Sequence, residues 1–386
     1  MIKSLVRKVR KDSANILSFL SPSSKVFGPP KGYYANTDEY FEKKPSSGSK
    51  TLLNKETFPS SSCTASEKVE EKLFERHLVA IRDGRINLDP WAFITNDDKL
   101  LFKESSCYGP RPEEHWIFRS LKLPKSRRLE GKTLFLSART NYWHLLMDEL
   151  SDLTLLEING IKPTGYDRVI CESYPYPAGQ ELQEIFGLGK IRQASLRKDL
   201  HIECEELHFL TGSFCLSPKA VGLVRSKIMN WVERGSAQDT KEAGTKLVIS
   251  RADADTRMWL NENECFEKLA PLGFKLINTS KMSLIDQVTA FSKAEIILGS
   301  HGAGLTNLLF MAPESQVIEI RSKEQGGEYS SADCFQQLSN ILRLRHHVFP
   351  CEGIERKDLK GRSIEDADLL PDPEALLAFV RKTFHD

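Results

Sequence analysis

The chain lacks most of the features that would assign it to a class at once. It has eight cysteines, but none forms a C-x-x-C pair and their spacings match no zinc site. Several lie in or beside apolar runs, as buried reduced thiols do, so a reducing compartment is the expectation. No run approaches the roughly 20 apolar residues of a membrane span. The first residues, MIKSLVRKVRKDSANILSFL, hold neither the apolar core nor the small-residue cleavage site of a secretory signal. Charge of one sign is not in excess either. The net value is +1, which leaves no global field pointing to nucleic acid as the main partner. Hydrophobic content of 40% and charged content of 28% are those of an ordinary soluble protein. At 386 residues the chain is too long for one typical core, and two domains are expected.

What is present centres on Ile296 to Ile320, IILGSHGAGLTNLLFMAPESQVIEI. An apolar, β-branched run (Glu295 to Leu298) predicts a buried strand, Leu305 to Met311 a helix stopped by Pro313, and Val317 to Ile320 a second strand. Between the first strand and the helix lies the turn Gly299-Ser300-His301-Gly302-Ala303-Gly304. Gly302 and Gly304 would let an anion approach the main chain with no Cβ in the way, at a helix N-terminus. His301 supplies a donor at the mouth of the turn. Tight strand-to-helix packing alone would explain the same glycines.

Around this stretch, strands alternate with helices. Predicted strands are Thr133 to Ala138, Val169 to Cys171, Leu207 to Leu210, Lys246 to Arg251, Phe274 to Asn278 and His346 to Phe349. Predicted helices are Asn141 to Leu150, Ala178 to Phe186, Pro218 to Val232, Asn261 to Ala270, Ser283 to Ala294 (with Ser283 as N-cap), Ala332 to Arg343 and Pro373 to Phe384. That alternation argues parallel sheets covered on both faces, with ligands beyond the C-terminal strand ends. Leu78 to Phe102 reads as short strands or hairpins. Residues 44–66, rich in Ser, Thr and Lys, read as a flexible linker. Residues 2–20 permit a basic amphipathic helix that could rest on an anionic membrane surface; a frayed or docked terminal helix is the preferred reading. GSAQDTKEAG, residues 235–244, is expected to link the two domains. The expected division is an N-terminal basic helix and linker (1–66), an acceptor domain (67–235), a nucleotide-sugar-binding domain (245–350), and a C-terminal tail and helix (351–386).

Four sets of residues can carry chemistry. Asn141, His144 and Asp148 follow a strand, and the spacing of four puts His144 and Asp148 on one helix face, as a base and its partner or as a plain surface pair. Ser250, Arg251 and Arg257 sit at and after another strand end, and arginine is a fixed cationic fork suited to phosphate, though surface salt bridges are its usual fate. His301, Gly302, Ala303, Gly304 and Asn307 form the glycine turn. Glu319 ends the strand after it, where it could accept from a ribose diol. Asp253-Ala-Asp255 is the one D-x-D and reads as a loop between the arginines and not as a metal site.

NYWHLLMDEL, SRADADTR and SHGAGLTNLLFMAPESQVIEI resemble the three motif regions of family 61 of the glycosyltransferases, over roughly Thr133 to Phe349. The H-G-A-G-x-x-N-x-x-F block with its downstream glutamate is the most specific. The family includes bacterial capsular-polysaccharide proteins, plant xylosyl- and arabinosyltransferases and animal O-linked GlcNAc transferases. Leu145 and Ser151-Asp152 depart from the bacterial pattern. The resemblance implies a GT-B-like α/β architecture, two Rossmann-like domains with parallel sheets facing a cleft. It implies an inverting, metal-independent transfer from a nucleotide sugar to a glycan or other hydroxyl acceptor, with no cofactor, in the cytoplasm or peripheral to the inner membrane face, and surface polysaccharide synthesis as the setting. The implied roles are Asp148 or His144 as base, with Asp148 slightly favoured; Asn141 on the acceptor side; Arg251, Arg257 and the His301 to Gly304 turn on the diphosphate; Asn307 bracing the turn; Glu319 on ribose. The alternatives are a non-catalytic sugar- or nucleotide-binding protein on the same fold, and an NAD-dependent oxidoreductase. The oxidoreductase would need a third glycine where the turn has Asn307.

Overall fold

The computed structural model describes residues 27–59, 71–88, 91–105, 111–136, 141–171, 174, 176–188, 201–212, 216–235, 244–323, 333–355 and 366–383. The basic segment 1–20 and most of the expected inter-domain linker lie outside the described residues. The chain is an α/β protein built on two sheets, one from each half of the sequence.

The first half contributes β1 (Gly32–Tyr34), α1 (Thr37–Lys43), β2 (Gly48–Pro59), β3 (Glu71–Arg82), β4 (Arg85–Leu88), β5 (Trp91–Ile94), β6 (Lys99–Leu101) and β7 (Ser126–Phe135). A helical segment in three pieces follows: α2 (Tyr142–His144), a π-helical turn (Leu145–Leu150) and α3 (Ser151–Ile158). Then come β8 (Arg168–Ile170), α4 (Pro177–Ile185), β9 (His201–Leu210) and α5 (Pro218–Gly235). The sheet is mixed and not parallel throughout. β7 pairs in parallel with both β8 and β9, but β9 receives β3 and β4 antiparallel on its other edge. β3 and β4 keep one register against β9, Arg82 opposite Glu206 and Arg85 opposite Glu203, so they form one strand interrupted at Asp83-Gly84. Asp83 adopts φ 50° there, the left-handed conformation that Asp tolerates in turns. Residues 48–59, expected within a flexible linker, are strand β2, paired along its length with β3. The polar composition that suggested a linker belongs to an edge strand, where polar residues face water and discourage further pairing.

The second half contributes β10 (Thr245–Ile249), α6 (Glu262–Leu269), β11 (Phe274–Ile277), α7 (Leu284–Ser292), β12 (Ala294–Ser300), a 3-10 helix (Ala303–Phe310), β13 (Gln316–Ser322), α8 (Cys334–Leu342), β14 (Arg345–Ile354), β15 (Asp368–Leu370) and α9 (Pro373–Thr383). The strands run in the order β11-β10-β12-β13-β14-β15, parallel except for β15. Chain order reverses between β10 and β12, and the C-terminal ends of these two strands open the crevice where doubly wound sheets bind ligands. Ser250 and Arg251 leave one end; His301 and Gly302 leave the other. Residues 351–386 are not a separate tail, because β15 pairs with the end of β14 and Trp259 bridges to Leu369.

The halves share one core. A single buried cluster joins Leu136, Leu145 and Leu146 of the first half to Val288, Leu305 and Phe335 of the second. Arg225 of α5 donates to the carbonyl of Met311 (2.9 Å), and Glu181 of α4 accepts from the N–H of Leu284 (2.6 Å). The described cysteines, Cys171, Cys204, Cys265, Cys334 and Cys351, form no disulfide among the described residues. Among the described residues no helix is long and apolar enough to cross a membrane.

Candidate active site

β12 ends at Ser300, and the N–H of His301 continues its ladder by donating to Ile320 of β13 (3.0 Å). That N–H is therefore unavailable to a ligand, contrary to the sequence expectation. The N–H groups of Gly302, Ala303 and Gly304 take no acceptor among the described residues. The following helix is 3-10 where an α-helix was expected, with Leu305 N–H bonded to Gly302 and Met311 N–H to Leu308. The tight winding has a local cause. A Cβ on Gly304 would stand 3.0 Å from Ile249 Cγ2, so the turn lies close against β10, and Asn307 Nδ2 ties back to the Gly304 carbonyl (3.3 Å). Asn307 also donates to Gln287 Oε1 (2.7 Å) and accepts from Tyr142 (3.3 Å), which ties the turn to α7 and α2.

Gly302 is glycine for a reason not visible in the sequence. The Nη1 of Arg251 lies 2.2 Å from where its Cβ would be, so the guanidinium occupies that space. Arg251 is held from three sides: Glu262 Oε2 accepts from its N–H (2.7 Å), Glu262 Oε1 accepts from Ser250 (2.6 Å), and the carbonyl of Thr256 accepts from Nη2 (2.6 Å). Burial, and then the neighbouring Arg257, lower the Arg251 guanidinium to about 10. Arg257 sits at φ 52°, a left-handed conformation that costs an L-residue roughly 1 kcal/mol or more. Its loop is pinned where Asp368 accepts from Met258 N–H (2.8 Å). Among the described residues no carboxylate lies within ion-pair distance of Arg251 or Arg257. The Nε atoms of both, and the hydroxyl of Ser300, are buried without a hydrogen-bond partner. Two like charges and three orphaned polar atoms therefore surround a backbone turn with unused N–H groups. Such a site is complementary to an anion.

Glu319 departs from its expected role. It is fully buried and accepts from His301 Nδ1 (2.5 Å), His346 Nε2 (2.8 Å) and Arg321 Nη2 (2.7 Å). Burial alone would raise its carboxyl; these bonds outweigh it and hold Glu319 well below the usual carboxylate range. A carboxylate so enclosed cannot reach a ribose diol. It also removes the acidic residue that the dinucleotide reading needs.

On the other side of the site, Asn141 caps α2 by accepting from Trp143 N–H (2.8 Å). Asp148 is 4% exposed and its Oδ2 lies 2.7 Å from His144 Nδ1. The helix widens into a π turn here, marked by Ser151 Oγ donating five residues back to Leu146 (3.1 Å). The wider turn buries two successive carboxylates, Asp148 against His144 and Glu149 against Tyr174 (3.1 Å). π turns inside helices recur at functional sites. One aromatic contact joins the halves, Trp143 packed on Phe335 (4.9 Å), and Phe335 in turn packs on His301 (5.1 Å).

Residues 142–318 match the family model for Glycosyltransferase 61. The matched region runs from the first residue of α2 into β13 and contains His144, Asp148, Arg251, Arg257 and the glycine turn. The chain is 26% identical over 149 residues to alpha-1,3-arabinosyltransferase XAT3 of Oryza sativa subsp. japonica, covering 36% of this chain and 25% of that protein. It is 30% identical over 133 residues to beta-1,2-xylosyltransferase XAX1 of the same plant, covering 34% and 23%. With the EGF domain-specific O-linked N-acetylglucosamine transferase of Gallus gallus it shares 28% over 121 residues, 28% of this chain and 22% of that one. The chain thus spans about a quarter of the length of the curated relatives it matches.

Several residues around the matched region escaped sequence reasoning. Arg321 lies two places after Glu319 on β13, so strand alternation puts both on one face. His346 stands opposite Val317 on β14, the same face again. The V-x-E-x-R alternation could have revealed Arg321. Glu262, Phe335 and His346 had no signal, because their roles depend on which strands and helices become neighbours. Asp253, expected in a loop, does lie in one, and its carboxylate accepts from Ser280. Among the described residues no group of three or more His, Cys, Asp or Glu is arranged to hold a metal ion.

Proposed function

We propose that this chain is a glycosyltransferase of the inverting, GT-B type, moving a sugar from a nucleotide-sugar donor to a hydroxyl of a glycan. The observation that carries the reading is the pair of neighbouring arginines that meet no carboxylate partner among the described residues, with Arg251 held against Gly302 at the switch point of the second sheet. Arg251, Arg257 and the N–H groups of Gly302, Ala303 and Gly304 would hold the donor diphosphate, with His301 beside them. As the glycosidic bond to the leaving diphosphate breaks, charge grows on its oxygens, and fixed cations stabilise that charge without reorganisation. They would do so in place of a metal ion. The names of the plant and animal relatives, arabinosyl-, xylosyl- and N-acetylglucosamine transferases, support sugar transfer as the reaction.

For the acceptor proton, geometry favours His144 over Asp148. Asp148 is buried and its Oδ2 is committed to His144 Nδ1, so the carboxylate would orient the ring and the imidazole would take the proton. Asp148 would fix the ring orientation and stabilise the imidazolium, the division of labour seen wherever a carboxylate backs a histidine base. Asn141 shapes the acceptor side by capping α2. The test is a screen of nucleotide sugars with measured nucleotide release and an added glycan acceptor. Release that depends on the acceptor supports the reading. Donor binding with no turnover under any pairing would instead indicate a non-catalytic binding protein.

A further inference from the structure

Glu319 is buried beneath the glycine turn, and its surroundings determine what His301 can do there. An ionised carboxylate only accepts hydrogen bonds, so His301 Nδ1, 2.5 Å from Oε1, must carry a proton. His346 Nε2 donates to the other oxygen, and its Nδ1 faces Ser339 Oγ at 2.8 Å. Arg321 closes the set by bridging Glu319 and Asp333 (3.1 Å). With Nδ1 committed inward, His301 meets the anion site through Nε2. A neutral ring offers a lone pair at that atom, which repels a phosphate oxygen. Only the doubly protonated ring can donate to it.

With the protein groups alone around it, the neutral ring is favoured. Burial lowers the His301 imidazole below its ordinary value; Glu319 pulls it back up, and Arg257 and Arg321 lower it further. Arg251 adds its charge from across Gly302, while α8 presents Phe335 and the thiol of Cys334. An arriving diphosphate neutralises the two free arginines and places oxyanions by Nε2, which reverses the balance.

We propose that Glu319 and His346 are positioning residues that hold His301 with its Nδ1 proton turned inward, so that the donor diphosphate binds together with one proton taken from solvent onto His301 Nε2. This rests on the diphosphate assignment made above. Affinity is then greatest below the transition of the free ring and falls by about tenfold per pH unit as pH rises toward the transition of the bound ring.

Titration calorimetry of the full chain with uridine, guanosine and cytidine diphosphate sugars tests it. Each is a diphosphate diester without the phosphate proton that titrates near pH 6 in monoesters, so the ligand adds no titration of its own near neutrality. Runs in two buffers of different ionisation enthalpy should show uptake of about one proton per nucleotide sugar bound. His301→Gln should bind more weakly, with no proton uptake and a flat pH profile. His346→Phe keeps ring volume but removes a donor from Glu319, whose oxygen then holds the His301 proton more strongly; the midpoint of the affinity profile should move to higher pH. His346→Gln, which restores an amide donor, should return it. A merely structural His346 would lower thermal stability in the Phe variant and leave the midpoint in place, which overturns its positioning role. Binding by the unaltered chain without proton uptake overturns the inference while the diphosphate site stands. Failure of every nucleotide sugar to bind overturns both.

Discussion

At the residue scale, the two candidate roles separate cleanly. Arg251 is assigned above to the donor diphosphate, and a charge-assisted contact to phosphate contributes on the order of 1.5–3 kcal/mol. Arg251→Ala should therefore weaken nucleotide-sugar binding by roughly ten- to a hundredfold, as read by calorimetry. A base at His144, as proposed, would act only as the acceptor proton moves, so its removal would fall on turnover. His144→Ala should lower kcat by about a hundredfold or more while leaving donor affinity nearly unchanged. Asp148→Asn should lower kcat less than His144→Ala, because an amide still accepts from or donates to the ring without supplying charge. If Asp148→Asn proves the more damaging variant, the carboxylate is the base and the sequence preference stands over the geometric one.

At the element scale, the chemistry depends on how the helical segment after β7 is anchored. Arg76 of β3 and Asp152 of α3 are each 1% exposed and lie 3.8 Å apart, tying the sheet to the helix that continues from the π turn. Arg76 also donates to the carbonyl of Thr211 (2.9 Å). Breaking a buried pair on one side leaves an uncompensated charge and costs about 3–5 kcal/mol. Asp152→Ala should destabilise the protein by that order in denaturant unfolding. The 3-10 helix meets α2, which runs directly into the π turn, through Tyr142 and Asn307, so both irregular elements lie at the site while regular elements form the scaffold. Periodicity located both segments but could not reveal their winding. A 3-10 or π turn arises from contacts such as Ile249 against Gly304 and Ser151 against Leu146, and these are absent from local spacing.

At the scale of the whole molecule, the two sheets do not act as independent domains around a hinge, because one apolar cluster runs through both halves. Loss of either half would expose the other half of that core. Scanning calorimetry should accordingly give one cooperative transition, shifted upward by a nucleotide sugar. Two resolved transitions would show that the halves fold separately. The same scale decides metal dependence, since the positive charge at the turn is supplied by residues from β10, β12 and their loops together. Turnover should survive EDTA; complete loss restored by manganese would show that a divalent ion and not the arginines carries the leaving group.

The sequence by itself determined the second sheet, the glycine turn and the pairing of His144 with Asp148. Each is a local matter: β-branched runs, glycine at a strand end, and two residues one helical turn apart. Only the tertiary structure decided the rest. It converted an expected parallel first sheet into a mixed one, because β3 and β4 return along β9 from far earlier in the chain. It turned a linker into strand β2 by supplying β3 as a partner. It moved Glu319 from a ribose to the underside of His301, since a strand end that looks exposed in sequence is buried once β14 and α8 cover it. It also assigned the space beside Gly302 to a guanidinium from a different strand. Sequence spacing records neighbours along the chain; burial and electrostatic environment depend on neighbours across it.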